Sequence, residues 1–578
     1  MTSATGQAAP PAARHRWVAM VFISLGVSMI MVDATIVNVV LPSVVIDLQM
    51  DATQAEWVVA VYPLVFAALL VTFGNLGDRF GRRRVFMLGA IGFIVASVLV
   101  ASAPTGDLLI AGRVLQGAAG AAMLPTSLAL VNAMFTGRDR AVAFGVWGAT
   151  IGGMSAIGPL LGGWLATTGS WRWAFWINVP VGIALVIGTL LLVQESRNPN
   201  ARGGVDLVGV VLSALGLGLV VFGLIEGQRY GWWTAKEPFS FLGVTFQEGG
   251  LSAIVIALAL GAGFVALFFW WEARQARLDR PYLLDLSLFK IKSFAYGNVV
   301  ALIVQFGEFG LIFVLPVFLV NVLGYTALQA GGVIALIALG VFIAGPSAGQ
   351  LAARRGARLV VRLGMGFEII GMLLVALVLS LDTTTWAMTP GLLIYGAGVG
   401  FASAQLTNVV LSEIPVDRSG QASGAQSTTR QVGAALGIAI LGAALFTGIG
   451  TQVAASVSAI GVPAAEATAI ADLAQATAAT SVPRIEDPEV RAAAQEGVVA
   501  AAQGALYVAA VFVFAGLIAT IRLPDDLAIR RAREAAAEAA EEPEAGDQPE
   551  HADGGGGDSK GVDEAAVSAR GQESATAG

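Results

Sequence analysis

"GNLGDRFGRRR", Gly74 to Arg84, sets glycines, one aspartate and four arginines between two long apolar runs. Each flanking run holds about twenty apolar residues, the length needed to cross about 30 Å of hydrocarbon. A charged, low-bulk connector between two such runs reads as a tight turn at a membrane face. The glycines allow a sharp turn and let another helix end come close. Asp78 stands where it can meet helix N-termini and the arginines around it.

Working outward, the rest of the chain has the same texture. It has 578 residues, 56% hydrophobic and 13% charged, about half the charge of a soluble domain. The apolar residues come in blocks, and their hydropathy predicts about fourteen spans. All are expected to be helices, because lipid offers no partner to an unpaired backbone group. The fold expected is therefore an all-α integral membrane protein. Trp17 to Leu41 reads as an inserted first span rather than a cleaved leader.

The absences narrow the chemistry. There are no cysteines, and the two histidines, His15 and His551, lie in polar tails. Disulfides, thiolate or histidine metal sites, haem ligation and a Ser/His triad are thereby excluded within the spans. No metal site, cofactor or enzymatic activity is expected. No basic patch points to nucleic acid, and no phosphate loop points to ATP drive.

The spans group as six, two and six. This gives an N-terminal tail at 1–16, a six-helix bundle at 17–193 and two inserted helices at 206–271. A second six-helix bundle follows at 294–521, with a partly helical external loop at 449–498, and then a disordered tail at 522–578. "QLAARRGARLV" (Gln350–Val360) repeats the opening connector in weakened form, also between the second and third spans of its set. Paired repeats place a transporter's binding site between the halves. Arginines and lysines crowd the connectors on one side, so the positive-inside rule puts both termini in the cytoplasm of a plasma-membrane protein.

The opening stretch matches the pattern G-x-L-x-D-R-x-G-R-[RK], and on it the chain resembles the major facilitator superfamily. The resemblance implies two pseudo-symmetric six-helix bundles, here with two inserted helices. It also implies that Gly74, Asp78, Arg79, Gly81, Arg82 and Arg83 form a latch whose aspartate and arginines engage the facing half.

Three further motifs sharpen the resemblance. In "RVLQGAAGAAMLP" (Arg113–Pro125), Arg113, Gln116, Gly117 and Gly120 share one helical face. An arginine in a span costs about 3 kcal/mol or more and needs an acid or water. The string is similar to R-x-x-Q-G-x-G, which implies a part for Arg113 in proton transfer. "GMSAIGPLLGG" (Gly153–Gly163) is similar to the antiporter motif G-x(4)-G-P-x-x-G-G through Gly153, Gly158, Pro159, Gly162 and Gly163, which implies export. "MVDATIVNVVLP" (Met31–Pro42) resembles the D-x-T-I-V-N-V-A-L-P signature of fourteen-span drug:proton antiporters of the EmrB/QacA type, with Val40 for the usual alanine. "SWRWAFWINVPVG" (Ser170–Gly182) is similar to the same family at the entry to span six and reads as structural.

Asp33 lies near mid-membrane, where an aspartate is costly enough that function is the default reading. Burial favours its neutral form and a nearby cation its charged form. Glu308 holds almost the same place in span nine, with Gln305 one turn earlier. The expected proton-coupling residues are Asp33, Arg113 and Glu308. The expected cavity residues are Asp33, Gln116, Gln305, Glu308, Gln405 and Arg430. Glu226 and Glu413 read as structural, and Glu368 has no assigned role.

The function expected is a proton-driven antiporter, monomeric, exporting amphiphilic, lipophilic or cationic drug-like compounds. Its partners are the lipid bilayer, the small-molecule substrate and protons, with the proton motive force in place of a cofactor. The alternatives are a dedicated exporter of an endogenous metabolite or antibiotic, and a membrane scaffold or sensor working through its loop or tail. With so few acids facing the centre, divalent cations are expected to be poor substrates.

Overall fold

In the computed structural model the described residues are 13–50, 52–168, 170–198, 205–241 and 244–524. The tail expected to be disordered lies, from 525 onward, outside them, as do residues 1–12 of the N-terminal tail. Among the described residues, 13 helices are long and apolar enough to cross a membrane. Helix α10, 30 residues long and largely apolar, is not one of those thirteen and brings the number of long helices to fourteen.

The first group is α1 (Ala13–Leu48), α2 (Ala52–Phe80), α3 (Arg82–Ala101), α4 (Gly106–Met134), α5 (Gly137–Thr168) and the pair α6 (Trp173–Trp176) and α7 (Asn178–Leu192). Two helices, α8 (Leu207–Tyr230) and α9 (Ala253–Arg277), follow as a hairpin; between them lies a small antiparallel ribbon, β1 (Phe239–Phe241) and β2 (Val244–Phe246). The second group is α10 (Lys292–Asn321), α11 (Ala327–Arg355), α12 (Ala357–Val378), α13 (Thr385–Val410), α14 (Ser419–Ala459) and α16 (Pro488–Ala519). A short helix, α15 (Ala464–Ala476), packs on α14.

The segment read as a partly helical external loop is helical over most of its length, and the flanking spans extend into it. Helix α14 runs 41 residues, well past Gly448, and α16 starts at Pro488 rather than near 499. The alanine-rich sequence explains this, because alanine is the best helix former. Asp487 caps α16 by accepting from the N–H groups of Glu489 and Val490.

The helices carry apolar side chains on both faces. Leu88, Leu191, Leu377 and Val511 are exposed, as a lipid-facing surface requires. The inner faces are lined with small residues that let helices approach closely. Glycines of α5 change partner along its length. Gly145 and Gly148 meet α11 and α13, while Gly158 and Gly162 meet Thr35 and Ile36 of α1. Helix α5 thus joins the two groups at one end and belongs to its own group at the other.

The internal repeat shows in the connectors. Gly81 (φ 109°) precedes α3 and Gly356 (φ 89°) precedes α12. Both occupy a backbone region that favours glycine. Arg83 donates to the Leu190 carbonyl near the end of α7. Its counterpart Arg358 donates to the Ile521 carbonyl just beyond α16. In both groups a basic residue after the turning glycine ties the third span to the last.

Candidate transport site

The two groups meet most tightly at the arginine-rich end. Asp78, buried at the foot of α2, accepts from the backbone N–H groups of Gly420 (2.8 Å) and Gln421 (2.9 Å). These belong to the first turn of α14, where unpaired N–H groups and the helix dipole favour an anion. Arg82 donates to Asp78 through Nε (2.9 Å) and a terminal nitrogen (2.7 Å), and that nitrogen also donates to the Val416 carbonyl. Arg82 is itself fully buried. Gly74 sits against the backbone of Gly420 and Gly424, so a side chain on either helix would separate them.

Further bonds close the same end. Asn132 donates to Ser419 (2.7 Å), Arg140 to the Leu411 carbonyl (2.6 Å) and Gln405 to the Ala141 carbonyl (3.1 Å). A third component comes from the segment after α9. Asn75 donates to the carbonyls of Leu283 (2.9 Å) and Tyr282 (3.3 Å). Asp285 pairs with Arg418 at 2.5 Å, and its N–H donates to Gln421. Glu272 fixes this segment by accepting from the N–H groups of Leu283 and Leu284. The inserted hairpin therefore wedges its exit strand between both halves.

Above the closed end lies a cavity of about 350 Å³ between the halves, within the range of drug-sized sites. Its walls are mainly apolar and aromatic, including Phe66, Trp147, Ile337 and Tyr395. Its charged and amide side chains are on the second half, Gln305, Glu308, Arg430 and Gln431 with Ser427 beside them, while the first half adds the hydroxyls of Thr35 and Ser155. Glu308 accepts from Gln305 (2.7 Å) and from the Ser403 hydroxyl. Arg430 donates to the same hydroxyl at 3.4 Å. Tyr395 donates its hydroxyl proton to the Glu308 carbonyl at 2.9 Å.

A second buried cluster lies inside the first group. Asp33 accepts from Arg113 (2.5 Å), Gln116 (2.9 Å) and Asn178 (2.9 Å). Ser97 accepts from both Gln116 and Asn178. The Arg113 guanidinium lies 4.4 Å from the Tyr62 ring centroid, and its Nε donates to the Val58 carbonyl. One terminal nitrogen of Arg113 has no partner. The cluster ties α1, α2, α3, α4 and α7 around one carboxylate.

Residues 23–438 match the Major Facilitator Superfamily. The chain belongs to that superfamily. It is 33% identical over 459 residues to the "Probable actinorhodin transporter" of Streptomyces coelicolor, covering 78% of this chain and 76% of that protein. It is 34% identical over 428 residues to the "Multidrug efflux pump LfrA" of Mycolicibacterium smegmatis, covering 74% and 80% respectively. Among solved structures, the human organic anion transporter MFSD10 matches with a TM-score of 0.52 at 14% identity, over 87% of this chain and 99% of that one. The proton:xylose symporter XylE matches with the same score at 12% identity, over 82% and 96%. Both show the facilitator fold.

Within this facilitator, the expected cavity residues divide. Gln305, Glu308 and Arg430 line the cavity. Asp33, Gln116 and Gln405 do not, which corrects the sequence reading. Asp33 is turned away from Met31 and Thr35, its neighbours on α1 that do line the cavity. The reason is physical: a buried carboxylate goes where donors are, and Arg113, Gln116 and Asn178 lie inside the bundle. Gln405 is drawn to the Ala141 carbonyl at the closed end.

The latch also divides. Asp78, Arg82 and Gly74 face the other half, whereas Gly81 and Arg83 pack on residues 190–198 of their own half. Arg79, between them, is half-buried. Of the antiporter motif, Gly153 abuts Phe342 of α11, and Gly158 and Gly162 abut α1. The surroundings of Pro159 and Gly163 lie outside the described residues. Asn178, Ser97, Tyr62, Asn75, Asp285 and Arg418 were not marked in the sequence. Asn178 lies within the recognised Ser170–Gly182 stretch, the one signal that pointed toward it.

Proposed function

We propose that this facilitator is a proton-driven exporter of lipophilic and cationic compounds, working by alternating access between the halves at 17–193 and 294–521. The observation that carries this reading is an apolar, aromatic cavity with one lining carboxylate, Glu308, shut at the end where Asp78 grips α14. In a dry site Glu308 attracts a monovalent cation, which must compete with the Arg430 guanidinium lining the same cavity. The apolar walls accept its hydrophobic body.

The basic connectors lie at the closed end, and the positive-inside rule makes that end cytoplasmic. The state described then faces outward, with both termini inside a plasma membrane. Export runs from the opposite state. Substrate enters from the cytoplasmic side, the latch forms, and protonation from outside weakens the carboxylate's hold. Each net charge crossing 100 mV supplies about 2.3 kcal/mol, enough for a concentration ratio of some tens when one proton enters for one neutral molecule; a monocation leaving for one proton moves no net charge and draws on the pH difference alone. Asp33, paired with Arg113, takes part in proton coupling from behind the cavity wall and acts on the cavity through the shape of α1, and no cofactor other than the proton gradient takes part.

Export of a fluorescent lipophilic cation from cells, with and without a protonophore, tests the reading. Export that persists undiminished after collapse of the proton gradient overturns it. A dedicated exporter of one endogenous antibiotic is the second reading. The printed names of relatives such as the actinorhodin transporter and the "Tetracenomycin C resistance and export protein" of Streptomyces glaucescens favour it. A substrate panel separates the two.

A further inference from the structure

Glu368 of α12 is fully buried, and neither carboxyl oxygen has a hydrogen-bond partner. Asp33, Asp78, Glu272 and Glu308 are also buried, but each accepts at least one hydrogen bond. Glu368 packs against the Gly398 backbone of α13, one turn from Tyr395. Tyr395 lines the cavity and bonds to the Glu308 backbone. Glu368 thus lies one helix behind the cavity wall, with Tyr395 between its helix and Glu308.

An ionised carboxylate with no donor, inside a protein inside a bilayer, costs several kcal/mol. A protonated carboxyl in the same place costs far less. The second group also brings one cation, Arg430, close to Glu308, and it can balance only one negative charge. The hydrogen bonds settle which acid bears that charge, because Glu308 has Ser403 and Gln305 and Glu368 has neither.

We propose that Glu368 is a second proton-carrying carboxyl of the C-terminal half, holding a proton in the state described while Glu308 faces the substrate. Its O–H bond breaks when water reaches it in the opposite state; the proton passes to that water, and no other covalent bond changes. This inference rests on the proton-driven export proposed above. The titratable groups facing Glu368 are Tyr395 of α13 and Glu308 of α10, with Arg430 beyond Glu308. The charged residues of α11, Arg354 and Arg355, are exposed at the basic end. Those of α16, Glu489, Arg491 and Glu496, lie in its first turns. On α12 itself, Arg358 and Arg362 are tied to Ile521 and Thr520.

The test uses the full chain in lipid nanodiscs and infrared difference spectra recorded as pH is stepped. The wild type is expected to show a protonated-carboxyl band that Glu368→Gln lacks and Glu308→Gln retains. Glu368→Asp should restore a carboxyl band, which guards against a misfolded glutamine variant. An unchanged band in Glu368→Gln overturns the proposal. A second arm measures protons exchanged per tetraphenylphosphonium exported, where Glu368→Gln should lose a proton per cycle. A wild type that does not carry this cation counts against the export reading, while the infrared band still decides the role of Glu368.

Discussion

Asp78 of α2 accepts a 2.8 Å hydrogen bond from the backbone N–H of Gly420, 342 residues further along the chain. The bond joins the opening connector to the start of α14 and closes one end of the molecule. It exists only while the halves are together at that end, so its strength sets how long the closed state lasts.

Replacing Asp78 by asparagine removes the charge from two backbone bonds and from the pair with Arg82. Hydrogen bonds to charged groups contribute about 1.5–3 kcal/mol each. The closed population should fall at least about tenfold, the equivalent of 1.4 kcal/mol. The chain has no cysteine, so a cysteine pair introduced at Asn132 and Ser419 reports closure by its crosslinking yield. A yield equal to that of the unsubstituted background would refute the latch role.

Gly420→Ala tests contact rather than charge. The added methyl would overlap the Asp78 carboxylate and the Gly74 carbonyl. Insertion and helix content should be normal, but the same crosslink should fail and transport should drop sharply. Gly332→Ala, where nothing lies within 4 Å of an added methyl, should behave as wild type.

The inserted hairpin should matter for closure. Asn75→Ala leaves the buried Leu283 carbonyl short of its donor, a loss of about 1–3 kcal/mol. Glu272→Ala frees the amides of Leu283 and Leu284. Hydrogen exchange at those two amides should accelerate in Glu272→Ala, and closure should weaken in Asn75→Ala. Slow, unaltered exchange would show that the segment is held by other means.

Arg113→Ala breaks a buried ion pair and leaves Asp33 with amide donors alone. Such losses cost about 3–5 kcal/mol, so thermal unfolding in detergent should occur at clearly lower temperature. Asp33→Asn should spare folding more, because asparagine still accepts from Gln116 and Asn178, yet uncouple export from the proton gradient. An Asp33→Asn protein that pumps against a gradient at the wild-type rate would remove Asp33 from the mechanism.

Because Glu308 is the one carboxylate among the described cavity-lining residues, monovalent lipophilic cations should be exported well and divalent ones poorly. Glu308→Gln should reduce transport of a monocation far more than of a neutral lipophile. Equal export of a dication and a monocation of similar size would contradict this.

Much of this was legible without coordinates, and the exceptions are instructive. Asp33 and Glu308 occupy nearly equivalent depths in the first spans of their halves, and the sequence treats them alike. Packing separates them. Asp33 turns inward to Arg113 and Asn178, while Glu308 turns to the cavity with Ser403 and Gln305. The direction depends on donors carried by other helices, far away in sequence. The same holds for Arg83, which serves its own half, and for Asp285 and Arg418, which lie in a stretch with no motif.

The sequence by itself determined that the chain crosses a membrane as a helical bundle. Lipid cannot hydrogen-bond a bare backbone, so an apolar run of that length has few alternatives to a helix. It also located the connectors, where glycine and charge are required locally. The tertiary structure alone decided which acid meets the cavity, which is locked in the bundle and which, like Glu368, is left without a donor. Each outcome depends on the face a helix turns to its neighbours, and that is settled by the packing of all the spans together.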